Sequence, residues 1–220
     1  MKKLWIAMLL VFGLALGSAS AESAFSVMPA PEPDPASDFG IDLNVNMETI
    51  DGYLGLEDCV YRDMRLPVDP YDYAAIGGNS LLTGMIEGFT LVPYPYLAPC
   101  LGMPEVLGKG YDGPTLFSVD ENGNYIPNYA ESSALLEQVF PKDKAIVLMC
   151  GAGGYAGMTK NLLVSLGWNE GMIFNAGGFW FYGGDRAVEL LTEEEQQSGV
   201  LHFEGLDTIA FDFARLTPVG

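Results

Sequence analysis

The residues with the clearest potential for chemistry lie in a short glycine-rich segment in the second half of the chain. An apolar run from Lys144 to Met149 leads into Cys150, and six residues follow in a compact loop: Gly151, Ala152, Gly153, Gly154, Tyr155 and Ala156. The run predicts a buried strand, and apolar residues at helical spacing up to Gly167 predict a helix after the loop. Backbone N–H groups and the positive end of a helix then converge near the thiol. Since both favour a thiolate, we expect Cys150 to be an activated nucleophile.

Two other kinds of site share parts of this pattern. Gly151, Gly153 and Ala156 have the spacing of a dinucleotide-binding fingerprint, but the next strand ends at Asn175 without the acidic residue that would hold a ribose. A phosphate-binding P-loop would end in Gly-Lys-Ser/Thr, which this loop lacks. The single histidine, His202, argues against a Cys-His pair or a histidine-based zinc site. We therefore predict no cofactor and no metal.

Helices and strands are predicted to alternate along the rest of the chain. Strand formers and apolar stripes predict strands over 59–65, 89–92 and 172–174 and helices over 47–54, 131–140 and 158–166. This order predicts an α/β fold with a doubly wound parallel sheet and helices on both faces. A segment rich in Pro, Tyr and Gly, about 95–128, is predicted to be a surface insertion with a hairpin turn at Asp120 to Gly123.

The first 21 residues predict a secretory signal peptide. Lys2 and Lys3 precede an apolar run and a small-residue stretch that ends at Ala21, and the run is shorter than the roughly 20 residues that a membrane-spanning helix needs. We expect cleavage after Ala21, an exported protein (extracellular, cell-wall side or periplasmic) and no membrane-spanning segment; an uncleaved anchor is the alternative. The Pro-rich residues 22–42 predict a linker, which places the domain at 43–220.

Charge and cysteine content limit the possible partners. The formal net charge is −19 at pH 7, so nucleic acid and anionic membrane surfaces would be repelled. Three cysteines make an odd count, which leaves at least one free thiol. Cys59 and Cys100 can pair or stay reduced, and the sequence does not decide between these states.

Three separated segments, in matching order, resemble the rhodanese-like family. Asp63-Met64-Arg65, at the end of a predicted strand, is similar to the family's Asp-x-Arg. Gly84 to Phe89, followed by Pro93, is similar to its Gly-His-Ile-Pro-Gly-Ala signature. Cys150 with its loop, Leu166-Gly167 and Gly177-Gly178 near Trp180 are similar to its third signature. The resemblance spans residues 46 to about 185.

The resemblance implies a cysteine that accepts sulfane sulfur as a persulfide and passes it to a nucleophile. Family loops often carry cations where this chain has Gly151 and Tyr155, so we expect thiosulfate to be a poor donor and Gly151→Arg to improve its use. The missing loop arginine also argues against the related dual-specificity phosphatases and arsenate reductases. Possible supporting residues are Asp63 and Arg65, as a structural ion pair, and Lys160, as a replacement cation.

Three functions follow from these observations. The first is an exported sulfurtransferase or sulfur carrier, with Cys150 as nucleophile, a small sulfur-containing donor and a thiol or other nucleophilic acceptor. The second is a non-catalytic rhodanese-like module that binds a partner protein through the Tyr- and Pro-rich insertion. The third is a thiol redox protein, which the missing Cys-x-x-Cys motif disfavours.

Overall fold

The computed structural model of the protein describes residues 27–219; the predicted signal peptide and its cleavage site lie outside the described residues. Eight strands are present in these residues: β1 Cys59–Asp63, β2 Gly84–Ile86, β3 Thr90–Leu91, β4 Phe117–Val119, β5 Tyr125–Pro127, β6 Ala145–Cys150, β7 Ile173–Gly178 and β8 Ala187–Glu189. The α-helices are α1 Tyr94–Leu97, α2 Ser132–Val139, α3 Gly154–Ser165 and α4 Glu193–Ser198. Short 3-10 helices are Ile50–Tyr53, Tyr73–Ile76, Glu105–Leu107, Glu170–Met172, Phe179–Phe181 and Phe213–Arg215.

The central sheet has four parallel strands in the order β3-β1-β6-β7. Strand β6 lies inside this sheet, and all of its residues are buried. Ile146, Leu148 and Cys150 face one core cluster, while Ala145, Val147 and Met149 face the other. This alternation explains the uninterrupted apolar run in the sequence, because both faces of the strand are covered.

The two faces of the sheet are covered differently. Helices α2 and α3 pack on the face of Cys150 through residues such as Leu136 and Leu162. The opposite face is covered by the 3-10 turn Ile50–Tyr53 and by the antiparallel pair β2–β8. The predicted α/β class with a parallel sheet flanked by helices is confirmed, but the helix predicted over 47–54 is only this 3-10 turn. Gly52 and Gly55 interrupt the apolar stripe there, and Gly55 has φ +78°.

Part of the predicted linker packs against the sheet. Pro33 and Asp42 form an antiparallel bridge, and the Asp42 N–H donates to the Asn175 carbonyl at 2.8 Å. The buried Asp42 carboxylate accepts the N–H groups of Glu32, Asn44 and Val45. Residues 32–42 are therefore folded together with the domain, since one buried carboxylate satisfies several of the segment's backbone donors.

The predicted insertion also contributes to the core. Its hairpin, β4–β5, turns at Asp120, whose carboxylate accepts the N–H groups of Asn122 and Asn124. This hairpin matches the predicted turn. Leu116 and Phe117 are fully buried in the cluster under α2, so the segment is not confined to the surface. Within the described part of the chain, no helix has the length and apolar character needed to cross a membrane.

The carboxyl ends of β6 and β7 approach each other closely. Leu148 pairs with Asn175 and Cys150 pairs with Gly178, so β7 contains one extra residue in a bulge where Gly177 has φ +95°. A Cβ atom at Gly178 would overlap the carbonyl oxygen of Gly151. Glycine is required at position 178 because the neighbouring atom is backbone and cannot move away as a side chain can.

We predict that Gly178→Ala destabilises the protein by at least about 2 kcal/mol, since the added methyl group forces two strands apart. Gly183→Ala is the matched control, because a Cβ there meets nothing within 4 Å. Urea unfolding of both variants measures the difference. Equal stability of the two variants would contradict this account of the close approach.

Candidate active site

Cys150 lies at the carboxyl end of β6, on the side of the sheet that α3 covers. Gly153 donates its N–H to the Cys150 Sγ, with an N to S distance of 3.1 Å, and the N–H groups of Ala152 and Ala156 lie close enough to stabilise a negative charge on the sulfur. The loop turns back on the sulfur because Gly153 has φ +103°, a conformation that favours glycine. The predicted loop thus surrounds the cysteine with donors, and its last residues begin α3.

Burial determines the ionisation of this cysteine. The residue is 3% exposed, and burial raises the pKa of the Cys150 thiol, whereas the N–H groups of Ala156, Ala152 and Gly153 lower it. The net direction is upward, and the charge of Asp63 adds to it. The expectation that the loop and the helix end favour a thiolate in the resting protein is wrong for this reason, because burial of the sulfur outweighs the loop donors. At rest the sulfur is a neutral thiol beside donors suited to an anion.

A cavity of about 320 Å³ opens beside Cys150 at the carboxyl edge of the sheet. Its wall is mostly apolar and includes Leu66, Leu82, Met103 and Trp180. The segment before residue 43 contributes Asp38 and Phe39, and the insertion contributes residues 102–104 and Leu107. Both segments that the sequence placed outside the sheet thus help to enclose the cysteine.

Asp63 and Arg65 form a buried ion pair at the end of β1. Arg65 Nε lies 3.0 Å from Asp63 Oδ1, and Arg65 Nη2 donates to the Gly84 carbonyl at 2.8 Å. The guanidinium also lies over the Phe179 ring, 4.6 Å from its centroid. Arg65 lines the cavity, but its charge is neutralised by Asp63, so the pair has the predicted structural role.

Lys160 lies apart from the thiol. Its Nζ is 3.9 Å from Glu170 Oε1, and Glu170 precedes β7 at the amino end of that strand. Cys150 is at the opposite, carboxyl edge of the sheet. Lys160 is therefore not a replacement for the cation that the loop lacks.

A group of oxygen atoms that the sequence did not indicate lines the same cavity. Asp69 Oδ2 lies within hydrogen-bond distance of two tyrosine hydroxyl oxygens, 2.9 Å from that of Tyr155 and 3.1 Å from that of Tyr73. Burial raises the pKa of Asp69. Because 86 positions separate Asp69 from Tyr155, no spacing in the sequence marks Asp69 and Tyr73 as site residues. The tyrosine content of residues 71–73 is the only local sign.

Trp180 packs directly on the loop. Its backbone N–H donates to the Gly151 carbonyl at 3.1 Å, and a Cβ atom at Gly151 would lie 2.5 Å from Trp180 Cζ2. An arginine at position 151 would have to displace the indole from the cavity wall. The expected gain in thiosulfate use from Gly151→Arg is therefore not supported by the packing.

All three cysteines are free, so Cys59 and Cys100 are unpaired. Cys59 is buried in β1, and burial raises the pKa of Cys100 to about 12. Neither has the surroundings of Cys150. Among residues 27–219, no three His, Cys, Asp or Glu side chains are grouped so that they could hold a metal ion.

Comparison of the chain with protein-family models, with curated proteins and with solved structures finds no match. The chemistry of the site rests on its geometry: a neutral thiol, N–H donors on one side of it and an apolar cavity on the other. This arrangement suits a sulfur nucleophile whose anionic form exists only while it reacts.

We predict that the alkylation rate of Cys150 with iodoacetamide keeps rising above the pH at which an ordinary thiol is half ionised, about 8.5. Because the pKa of Cys150 is raised, the fraction of the reactive thiolate increases only at higher pH. Peptide mapping by mass spectrometry across a pH series measures the rate, with a short unstructured cysteine peptide as control. A plateau below about pH 8 would show that the N–H groups outweigh burial.

Proposed function

We propose that this protein is a sulfur carrier or sulfurtransferase that forms a persulfide on Cys150. The observation that carries the proposal is the position of the Cys150 sulfur. It lies between the N–H groups of its loop and an apolar cavity, and no unpaired cationic side chain lines that cavity in the described part of the chain. The first helical turn of α3 adds its positive end.

The reaction consists of two displacements at sulfur. The Cys150 sulfur attacks the outer sulfur of a donor R–S–S–H, and the donor's S–S bond breaks. The Cys150 thiol loses its proton in this step, and the departing R–S⁻ takes up a proton and leaves as R–S–H. An acceptor thiol then attacks the outer sulfur of Cys150–S–S–H, takes it as R′–S–S–H and leaves the Cys150 thiol. Each step exchanges one S–S bond for another, so no oxidant or reductant is consumed.

The loop donors suit the persulfide better than the resting thiol. A persulfide is a stronger acid than its parent thiol, so its outer sulfur is more readily anionic. That sulfur lies about 2 Å beyond the Cys150 Sγ. Backbone N–H groups at a helix N-terminus stabilise such an anion without a cationic side chain.

The resemblance to the rhodanese-like family supports the proposal because the three similar segments lie next to one another in the fold. The first and third segments lie at the carboxyl ends of β1, β6 and β7 in the central sheet, whereas the second contains β2, which pairs with β8, and leads into β3. Asp63 is paired in register with Met149, and Arg65 bonds the carbonyl of Gly84. The Asp-x-Arg segment therefore contacts both of the others. We therefore also propose that the domain has a rhodanese-like, doubly wound fold.

The cavity favours a donor with an apolar group and at most one charge. Thiosulfate is a dianion, and transferring it to an apolar cavity without a free cation is costly. Arg65 is engaged by Asp63, and Tyr155 is engaged by Asp69. We place this activity outside the cytoplasm, because residues 1–21 predict export.

Intact-mass measurement tests the proposal. After incubation with benzyl hydropersulfide, the wild type should gain one sulfur atom, mapped to Cys150, and should gain it at least roughly tenfold faster than from thiosulfate. Cys59→Ser, which removes a buried cysteine without such a loop, should behave as wild type. The proposal fails if Cys150→Ser gains sulfur as fast as the wild type.

A second candidate is the non-catalytic module that binds a partner protein through the insertion. It is favoured by Leu101 and Val106, which are 60% and 64% exposed near the cavity. Under this function, Cys150 stays unmodified by every donor. Complete inertness of wild-type Cys150 therefore supports this candidate over the first.

A further inference from the structure

Three oxygen atoms in the cavity wall form a closed ring of contacts. Asp69 Oδ2 lies 2.9 Å from the Tyr155 hydroxyl and 3.1 Å from the Tyr73 hydroxyl. The two hydroxyl oxygens lie 2.9 Å from each other. Asp69, Tyr73 and Tyr155 are all buried residues, and all three line the cavity beside Cys150.

The number of hydrogen atoms in this ring favours a protonated carboxyl group. Three contacts need three hydrogens, and the two tyrosine hydroxyls supply only two. With Asp69 ionised, one pair of oxygens would face each other without a hydrogen between them. With Asp69 protonated, each oxygen donates once and accepts once. Burial acts in the same direction. It raises the pKa of Asp69, although hydrogen bonds from the Tyr71 N–H and from the Tyr155 and Tyr73 hydroxyls lower it.

Sulfur transfer in this cavity needs a proton donor. The departing group of the donor is a thiolate, which is costly to leave unpaired in an apolar cavity. Arg65 is paired with Asp63, and Asp38 is exposed and acidic. Burial raises the pKa of Tyr73, and a negative charge on the nearby Cys150 sulfur raises it further. The ring and the thiol therefore face the same reacting group.

We propose that Asp69, Tyr73 and Tyr155 form a proton-holding ring that protonates the departing thiolate of the sulfur donor. A tyrosine hydroxyl gives its proton to the leaving R–S⁻, which becomes R–S–H, and the Asp69 proton moves to that tyrosine. The ring regains one proton from the Cys150 thiol, so none is gained or lost over the step. Asp69 acts through the tyrosines and is a positioning residue. The inference rests on the proposed function.

Other titratable or charged groups also face this ring. Tyr94 stacks on Tyr155 with centroids 5.9 Å apart, the Cys100 thiol lies near the Tyr155 hydroxyl, and Tyr71 donates its N–H to Asp69 Oδ1 at 3.0 Å. Burial raises the pKa of both Tyr94 and Cys100, so neither is charged near neutral pH. Neither group therefore places a charge beside the ring.

The test compares two persulfide donors of similar size whose leaving thiols differ in acidity. Phenyl hydropersulfide releases a more acidic thiol, whose departure depends less on protonation during the step, whereas benzyl hydropersulfide releases a weakly acidic one. In Asp69→Asn and Tyr155→Phe, sulfur transfer to Cys150 from the benzyl donor should fall roughly 10²-fold. Transfer from the phenyl donor should stay within about threefold of wild type. Tyr71→Phe, a neighbouring buried tyrosine whose hydroxyl is outside the ring, should behave as wild type with both donors.

The possible results separate a failure of the proton-holding ring from a failure of the proposed function. Equal losses with both donors in Asp69→Asn and Tyr155→Phe would show a purely structural role and overturn it, while the proposed function would stand. Wild-type protein that takes sulfur from neither donor would instead refute the proposed function. Thermal unfolding identifies a variant that fails to fold, and Tyr155→Phe, which removes one oxygen atom, then serves as the deciding variant.

Discussion

The donation of backbone N–H groups to a buried sulfur is the interaction on which the rest of the structure depends. The Gly153 nitrogen lies 3.1 Å from the Cys150 sulfur, which requires the loop to turn back on itself. This turn also requires hydrogen bonds to the side of the loop that faces away from the sulfur. Asn175 holds it, because its side-chain amide donates to the carbonyls of both Gly153 and Phe39. These hydrogen bonds position three elements around the Cys150 sulfur: strand β7, the segment before residue 43 and the start of α3.

Burial and hydrogen bonding act on this sulfur in opposite directions. The loop donors stabilise an anion, but exclusion of water destabilises it more, so the resting group is a thiol. The exclusion of water also explains how the neighbouring charged side chains are paired, since a charge in the cavity wall must be paired or neutralised. Arg65 is paired with Asp63, and Asp69 shares a hydrogen-bonded ring with two tyrosines. A site of this kind carries a charge only during a reaction, and the proposed transfer of a sulfur atom between apolar thiols is a reaction of that kind.

The sequence predicted the elements that are encoded by local pattern. The run before Cys150 predicts β6 because a strand covered on both faces needs apolar residues on both, and the stripe up to Leu166 predicts α3 in the same way. Tertiary contacts were not predictable. Asp42 folds a proline-rich segment by accepting three N–H groups, and Asp69 meets Tyr155 only in the folded chain. The sequence does not indicate the raised pKa of Cys150, because the burial of this residue depends on those same distant segments.

A crystal structure of the protein after reaction with benzyl hydropersulfide tests the central claim most directly. The account predicts one additional sulfur atom bonded to the Cys150 Sγ, with the backbone nitrogens of the loop within roughly 3.5 Å of that sulfur pair. The side chains of Trp180 and Tyr155 should keep their places in the cavity wall. An unmodified Cys150 beside a persulfide on Cys59 or Cys100, or an outer sulfur turned away from the loop amides, would contradict it.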